Sequence, residues 1–316
     1  MRLKSHSWDR SVGALVGLAV GDAIGATLEM SVRDAGPPLT DMVGGGPFEL
    51  RPGEWTDDTA LALCLADSLL TNSGLDQDDL MRRFSRWLRH GENSCTGSCV
   101  GVGNTTFEAI RRFEKTENPI SDLTDAEFAG NGSLMRLAPV AIYWHRERAE
   151  ALKAARDQSV TTHGAPVAVE SCVYFADVLL DAIEGRPKDQ VLRPRQWPAD
   201  QDVDRIARGS WIGMPRADIK SSGYVIHSLE AALWSVSQTD NFRDCILLAA
   251  NLGDDADTVA AIAGQLGGGL WGVSDIPKAW IERLAWQQRI RKLAAALHHG
   301  RNPELSAEQR SRTFRR

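Results

Sequence analysis

Gly253-Asp254-Asp255-Ala256-Asp257-Thr258 packs three carboxylates and a hydroxyl into six residues, directly ahead of an Ala-, Gly- and Leu-rich run from Val259 to Leu270. The run reads as a buried helix and the acidic stretch as its start. An earlier stretch, Trp55-Thr56-Asp57-Asp58-Thr59, stands in the same relation to an apolar run from Ala60 to Leu70. Helix starts favour Asp and Thr, because free backbone N–H groups and the positive end of the dipole lie there. Capping accounts for one acid. It accounts poorly for several acids in front of a buried helix, since adjacent carboxylates repel and burying each unpaired costs several kcal/mol. Neither stretch contains Lys or Arg. A divalent cation is the economical partner, and an all-oxygen set suits Mg²⁺, Mn²⁺ or Ca²⁺ better than zinc. The chain is therefore expected to fold so that these two helix starts meet over hard metal ions.

Outward from these stretches the apolar periodicity is helical. Arg10 to Leu28 carries glycines at 13, 17, 21 and 25, a four-residue spacing that lines them along one stripe where a second helix can pack close. It is not a dinucleotide fingerprint: no strand precedes it and the spacing is not G-x-G-x-x-G. Asp22 and Glu29 lie two turns apart, near one face. Asp22 reads as a structural hydrogen-bonding group, and Glu29 stands at the helix end, where the chain can turn into a cleft. Further helices are expected over 57–71, 77–90, 105–116, 134–144, 165–184, 201–208, 224–237, 241–251 and 277–298. The Gly- and Pro-rich segment 31–55 is a loop of the kind that serves as a lid or binding loop; 91–106, rich in Gly, Ser, Thr and Asn, and 117–130 are further loops. Gly101-Val102-Gly103-Asn104-Thr105-Thr106 and Gly130-Asn131-Gly132-Ser133 each lead into a helix, where close-approach glycines and free N–H groups can cradle phosphate. A bare G-x-G also reads as a plain turn. His163 can cap or hydrogen-bond, or it can touch a ligand. No strand is needed. The fold class is all-α: a single compact orthogonal helical domain over residues 1–300, with a loop-lined metal cleft. A polar tail, 301–316, is expected to be disordered.

Composition narrows the classes. With 36 basic and 42 acidic residues in 316, the net charge is −6, which argues against a nucleic-acid binder. The only basic run is the tail. Five cysteines, at 64, 95, 99, 172 and 245, are an odd number without zinc spacing, which fits a reducing cytoplasm. The apolar segments 12–30 and 246–271 carry acids and do not read as membrane spans. The start lacks the apolar core of a signal peptide. A cytoplasmic monomer is expected.

Five stretches in order carry a resemblance to a family: Gly17-Leu18-Ala19-Val20-Gly21-Asp22-Ala23-Ile24-Gly25, Trp55 to Thr59, Gly103-Asn104-Thr105-Thr106, Gly130-Asn131-Gly132-Ser133-Leu134-Met135-Arg136, and Gly253 to Thr258. Over about residues 9–295 the chain resembles the ADP-ribosylglycohydrolases, which include the dinitrogenase-reductase-activating glycohydrolases and the ADP-ribosyl-acceptor hydrolases. The resemblance implies an all-α fold with two Mg²⁺ or Mn²⁺ in a cleft, held by Thr56, Asp57, Asp58, Asp255, Asp257 and Thr258. Asp254 is then a neighbour. It implies Glu29 and Asp57 as catalytic residues, with Glu29 over the metals. Gly101, Gly103, Asn131, Gly132 and Ser133 match segments that hold diphosphate and distal ribose, and His163 and Tyr224 match positions on the adenosine side. The implied reaction is hydrolysis of the bond between ADP-ribose and a modified protein side chain, most of all arginine. The implied partners are ADP-ribose and ADP-ribosylated protein. Many bacterial members carry an Asp where Gly101 stands here, so an acid restored at 101 is expected to raise arginine-linked hydrolysis.

Two other readings compete. One is a catalytically weak ADP-ribose-binding module, favoured by Gly101 and opposed by the full set of metal ligands. The other is an α-helical metal-dependent diphosphate enzyme of the terpenoid-synthase kind. Those space acids at i, i+1 and i+4, whereas Asp57-Asp58 has no acid at position 61.

Overall fold

The structure, a computed structural model, describes residues 3–300; the tail 301–316 lies outside the described residues. The order begins with α1 (Leu3–Gly25), α2 (Asp57–Asn72), α3 (Gln77–His90), α4 (Asn104–Thr116) and α5 (Ala138–Tyr143). It continues with α6 (Arg148–Ser159), α7 (Pro166–Glu184), α8 (Lys188–Val191), α9 (Gln201–Ala207) and α10 (Val225–Ser237). It closes with α11 (Phe242–Ala250), α12 (Ala256–Trp271), α13 (Lys278–Arg283) and α14 (Gln287–His299). Among the described residues, bridge pairing is limited to three isolated contacts, Ser31 with Asp254, Gly45 with Leu50, and Gly130 with Tyr224. The all-α expectation holds, and no described helix is long and apolar enough to cross a membrane.

The glycine stripe of α1 finds its partner in α12. A Cβ at Gly13, Gly17, Gly21 or Gly25 would lie 2.1–2.3 Å from the carbonyl oxygens of Gly268, Gly264, Ala260 and Ala256 respectively. The two helices run antiparallel with backbones in contact, and each step of four on one meets a step of four on the other. A side chain on either stripe would force them apart, and overpacking a core typically costs 1–3 kcal/mol. The register sets the C-terminal end of α1 against the N-terminal end of α12. Asp22 and the turn bearing Glu29 therefore arrive beside Asp257.

Several helix assignments need correction, and the short α8 was not expected. The helix expected over 134–144 is shortened to α5. Residues 131–137 form a turn in which Leu134 N and Met135 N both donate to Asn131 O, at 2.8 and 3.0 Å. Pro139 then starts the helix, because its ring favours the first turn and supplies no N–H. The single helix expected over 277–298 is broken between α13 and α14, where Trp286 has φ +54°. There the loop ahead of α2 captures the backbone: Ala285 N donates to Gly53 O at 2.9 Å, and Trp55 Nε1 donates to Ala285 O at 3.3 Å. Helix α6 was not expected. Its Ala151, Ala154 and Ala155 are buried, a weak apolar signal beside its charges. Helix α1 ends at Gly25, so Glu29 stands in the turn beyond it.

Candidate metal centre and cleft

At the start of α2 the acids do not cap their own helix. Thr56 and its neighbours make no side-chain cap bond. The donors go instead to Asp22 of α1. Asp22 Oδ1 accepts from Thr56 N and Thr56 Oγ1, each at 2.9 Å. Asp22 Oδ2 accepts from Thr59 N at 3.0 Å and Thr59 Oγ1 at 2.6 Å. Three donors and the contested Thr56 hydroxyl face this fully buried carboxylate, the pattern expected of a structural hydrogen-bonding group. Asp255, the N-cap residue of α12, likewise makes no cap bond.

The other acids converge, and Asp22 stands among them. Asp22, Asp58 and Asp257 each offer an oxygen within 4.8 Å of the others, and so do Glu29, Asp255 and Asp257. Asp57, Asp58 and Asp257 are buried. Burial, followed by the charges of other carboxylates, raises all three well above the ordinary carboxylate range. Burial and then Asp257 push Asp255 up to about 8. Burial pushes Glu29 up to about 7, with Asp255 and Asp57 adding to it. Thr56 Oγ1 faces three acceptors, Asp22 Oδ1, Asp58 Oδ2 at 3.2 Å and Asp257 Oδ2 at 3.3 Å, yet a hydroxyl has one proton to give. Asp58 Oδ1 and Glu29 Oε2 are buried with no partner. Oxygen donors in excess of protons, two of them orphaned, are what a hard divalent cation satisfies. The residues present fit such an ion.

These acids floor a cleft of about 750 Å³. Glu29, Asp57, Asp255, Asp257 and Thr258 line it, and Gly101, Gly103, Asn131, Gly132 and His163 line its other walls. Thr56 and Asp58 lie directly behind, joined through the bonds just described. Asn131 Nδ2 donates to Asp255 Oδ2 at 2.5 Å and to Ser228 Oγ at 2.7 Å, which couples the 130–133 turn to the acidic floor. His163 is 2% exposed; burial and then Arg136 lower its pKa to about 3, so the ring is neutral. Its Nδ1 meets Thr162 Oγ1 at 2.8 Å, and its other edge lies under Gly130 and Gly132. Gly101 has φ +84°, and a Cβ there would stand 2.5 Å from Asp57 Oδ1. A side chain at 101 would require Asp57 to move, and the backbone there lies in a region that L side chains rarely adopt.

Two of the expected residues are not brought into the cleft. Ser133 is fully buried and accepts from Ser159 Oγ at 2.8 Å and Cys172 Sγ at 3.3 Å. Tyr224 points its hydroxyl to Asp202 at 3.4 Å and packs edge-on against His227. Phe48, Glu127 and Met135 line the cleft and were not singled out. Phe48 follows the Gly44-Gly45-Gly46-Pro47 run, and that loop is the only sequence signal that points to it.

An all-α fold with a carboxylate-floored cleft, walled by the start of α4 and by the 130–133 turn, defines a class of metal-competent pockets. The family model for ADP-ribosylglycohydrolases matches residues 4–306, and the chain belongs to that family. It is similar to the ADP-ribosylarginine hydrolase Tri1 of Serratia proteamaculans, 46% identical over 94% of this chain and 81% of the relative. It is also similar to the ADP-ribosyl-[dinitrogen reductase] glycohydrolase of Rhodospirillum rubrum, 32% identical over 92% of this chain and 95% of the relative. A solved ADP-ribosylglycohydrolase-related protein complex superposes with a TM-score of 0.83 at 38% identity, covering 94% of this chain and 99% of that one. The terpenoid-synthase and pure binding-module readings are not favoured.

Proposed function

We propose that the chain is a hydrolase that removes ADP-ribose from modified arginine in proteins. The observation that carries this reading is the double acidic floor, Glu29, Asp57, Asp255 and Asp257, facing the start of α4 and the glycine-bearing 130–133 turn across one cleft. Relatives 46% identical bear the name ADP-ribosylarginine hydrolase, which supports arginine as the acceptor. Thr56, Asp57, Asp58, Asp255, Asp257 and Thr258 would hold two Mg²⁺ or Mn²⁺. When bound, such ions supply positive charge for the ribose hydroxyls and lower the pKa of water.

The chain's own groups divide the remaining work. The start of α4, at Gly103, presents free N–H groups to the diphosphate. Neutral His163 and Gly132 shape the wall beyond it. Hydrolysis joins the oxygen of water to the anomeric carbon, breaks the carbon–nitrogen bond, and returns a proton to the departing guanidine. Glu29, half-buried and raised to about 7, can hold that proton or release it near neutral pH. Asn131 holds Asp255 in place through its amide.

The test is a hydrolysis panel of arginine-, serine- and aspartate-linked ADP-ribose, with Mg²⁺ or with chelator. Arginine-linked substrate should be cleaved only with metal, and Asp57→Ala should abolish cleavage. Cleavage by Asp57→Ala in chelator at the wild-type rate refutes the reading. Cleavage of serine-linked substrate alone would move the acceptor and leave the family standing.

A further inference from the structure

A second cavity of about 550 Å³ opens beside the cleft and shares two of its lining residues, Met30 and Asp254. Ile219 and Leu252, both buried, give it an apolar floor, and Val32 lies on its rim. Met30 and Val32 are 72% and 78% exposed, two large apolar side chains at one opening. The two exposed side chains adjoin an apolar floor at an opening that continues into the cleft.

The cavity is built in advance. Arg33 Nε donates to Leu252 O at 2.8 Å, its Nη1 to Arg216 O at 2.8 Å, and its Nη2 to Ile219 O at 2.6 Å. One guanidinium thus ties three loops into a single wall. At the junction with the cleft, Met30 N donates to Asp254 O at 2.7 Å and Asp254 N donates to Ser31 O at 2.8 Å. Met30 and Asp254 have φ of +58° and +60°. Non-glycine residues persist in that region only where their surroundings over-determine them, and such residues cluster at ligand sites.

We propose that this cavity receives the polypeptide segment that carries the modified arginine. The proposal rests on the hydrolase reading and deepens it. With ADP-ribose in the cleft and Glu29 at the scissile bond, the next residues outward are Met30 and Asp254, so the arginine leaves past them. The Asp254 carboxylate is exposed at the junction and opposite in charge to the guanidinium, while Arg33 and Lys220 also line the cavity. Met30 and Val32 pack against side chains that flank the arginine. The occupant is a surface segment of the substrate protein with an apolar residue beside its modified arginine.

Val32 lines the second cavity and not the cleft, which makes it the residue to change. Wild type, Val32→Asp and Val32→Leu are compared on free ADP-ribosyl-arginine and on a protein ADP-ribosylated at one arginine, with melting curves and light scattering on each. Val32→Asp should lower kcat/KM on the modified protein about ten-fold through KM, the factor equivalent to about 1.4 kcal/mol. Its rate on free ADP-ribosyl-arginine should not change, and Val32→Leu should behave as wild type on both. Equal loss on both substrates, or no loss on either, overturns the proposal. A change of oligomeric state in Val32→Asp would assign the rim to a second copy of the chain, which also overturns it. If wild type cleaves neither substrate, the hydrolase reading itself falls.

Discussion

Replacing Gly101 by Ala should silence the cleft while leaving the fold standing. Two effects add. The φ of +84° is left-handed, where a Cβ costs about 1–2 kcal/mol. The new Cβ would also stand 2.5 Å from Asp57 Oδ1 and 3.2 Å from Thr56 Cβ. The carboxylate is the softer neighbour, so Asp57 must rotate. That rotation moves an oxygen proposed to hold metal. Strain of this size lowers Tm by a few degrees, at about 2–4 °C per kcal/mol for a domain of similar size. The larger loss should appear in the response to metal. A cation at a hundred times its dissociation constant adds about 2.7 kcal/mol to the folded state, and a hundred-fold loss of affinity leaves about 0.4 kcal/mol at the same concentration. The assay is thermal unfolding of chelator-treated protein titrated with Mg²⁺ or Mn²⁺, with turnover alongside. Gly101→Asp should do worse than Ala, because it adds a charge to the acidic floor. A Gly101→Ala protein with the full metal-dependent shift and wild-type turnover would refute the argument and reduce Gly101 to a plain turn.

Glu29→Gln should lower turnover about 10²–10⁴-fold, the range of a positioned acid or base, while ADP-ribose binding by calorimetry is retained; unchanged turnover would leave Glu29 merely ending a turn. In chelator, stability should fall as pH rises. The folded-state pKa values of Glu29 and Asp255 are raised to about 7 and about 8, above their unfolded values, so the fold binds the extra protons and loses that contribution between about pH 4 and 8. Added Mg²⁺ should flatten that slope, and a chelated protein with constant Tm across the window would contradict it. Arg136→Met should cost about 3 kcal/mol in urea unfolding, because the buried guanidinium donates to Gln158 Oε1, Gln158 O and Thr162 Oγ1; unchanged stability would mean these acceptors find other donors. Gly17→Leu should push α1 away from α12 and destabilise the fold by at least about 1–3 kcal/mol, measured as a lowered Tm.

The helical class, the α1 stripe and the convergence of two acidic helix starts were legible because each has a period or a charge cost that sequence alone exposes. Glycines four apart announce a close helix partner without naming it, and the matching steps at 256, 260, 264 and 268 mix alanine with glycine, which hides the pair. The break at Trp286 was illegible because its cause is distant: Gly53 and Trp55 take the backbone groups that would continue the helix. Ser133 and Tyr224 followed from motif position, yet side-chain direction depends on neighbours far along the chain, Ser159 and Cys172 for one and Asp202 for the other. The second cavity left no motif at all, since it is assembled from three loops by Arg33.

Asp22 shows why the capping account of the acids fails and why the fold tolerates them. A helix start needs an acceptor, and α2 takes its acceptor from α1, so Asp57 and Asp58 are released from that task. The same bonds lock the end of α1 to the start of α2, while the glycine stripe locks it to the start of α12. Three helix ends are thereby fixed by packing and hydrogen bonds that involve none of the proposed metal-binding carboxylates. Repulsion among those carboxylates then acts within a frame that it does not have to hold together. The chain can keep more acid in the cleft than folding alone would favour, and a cation can relieve that excess without having to build the site.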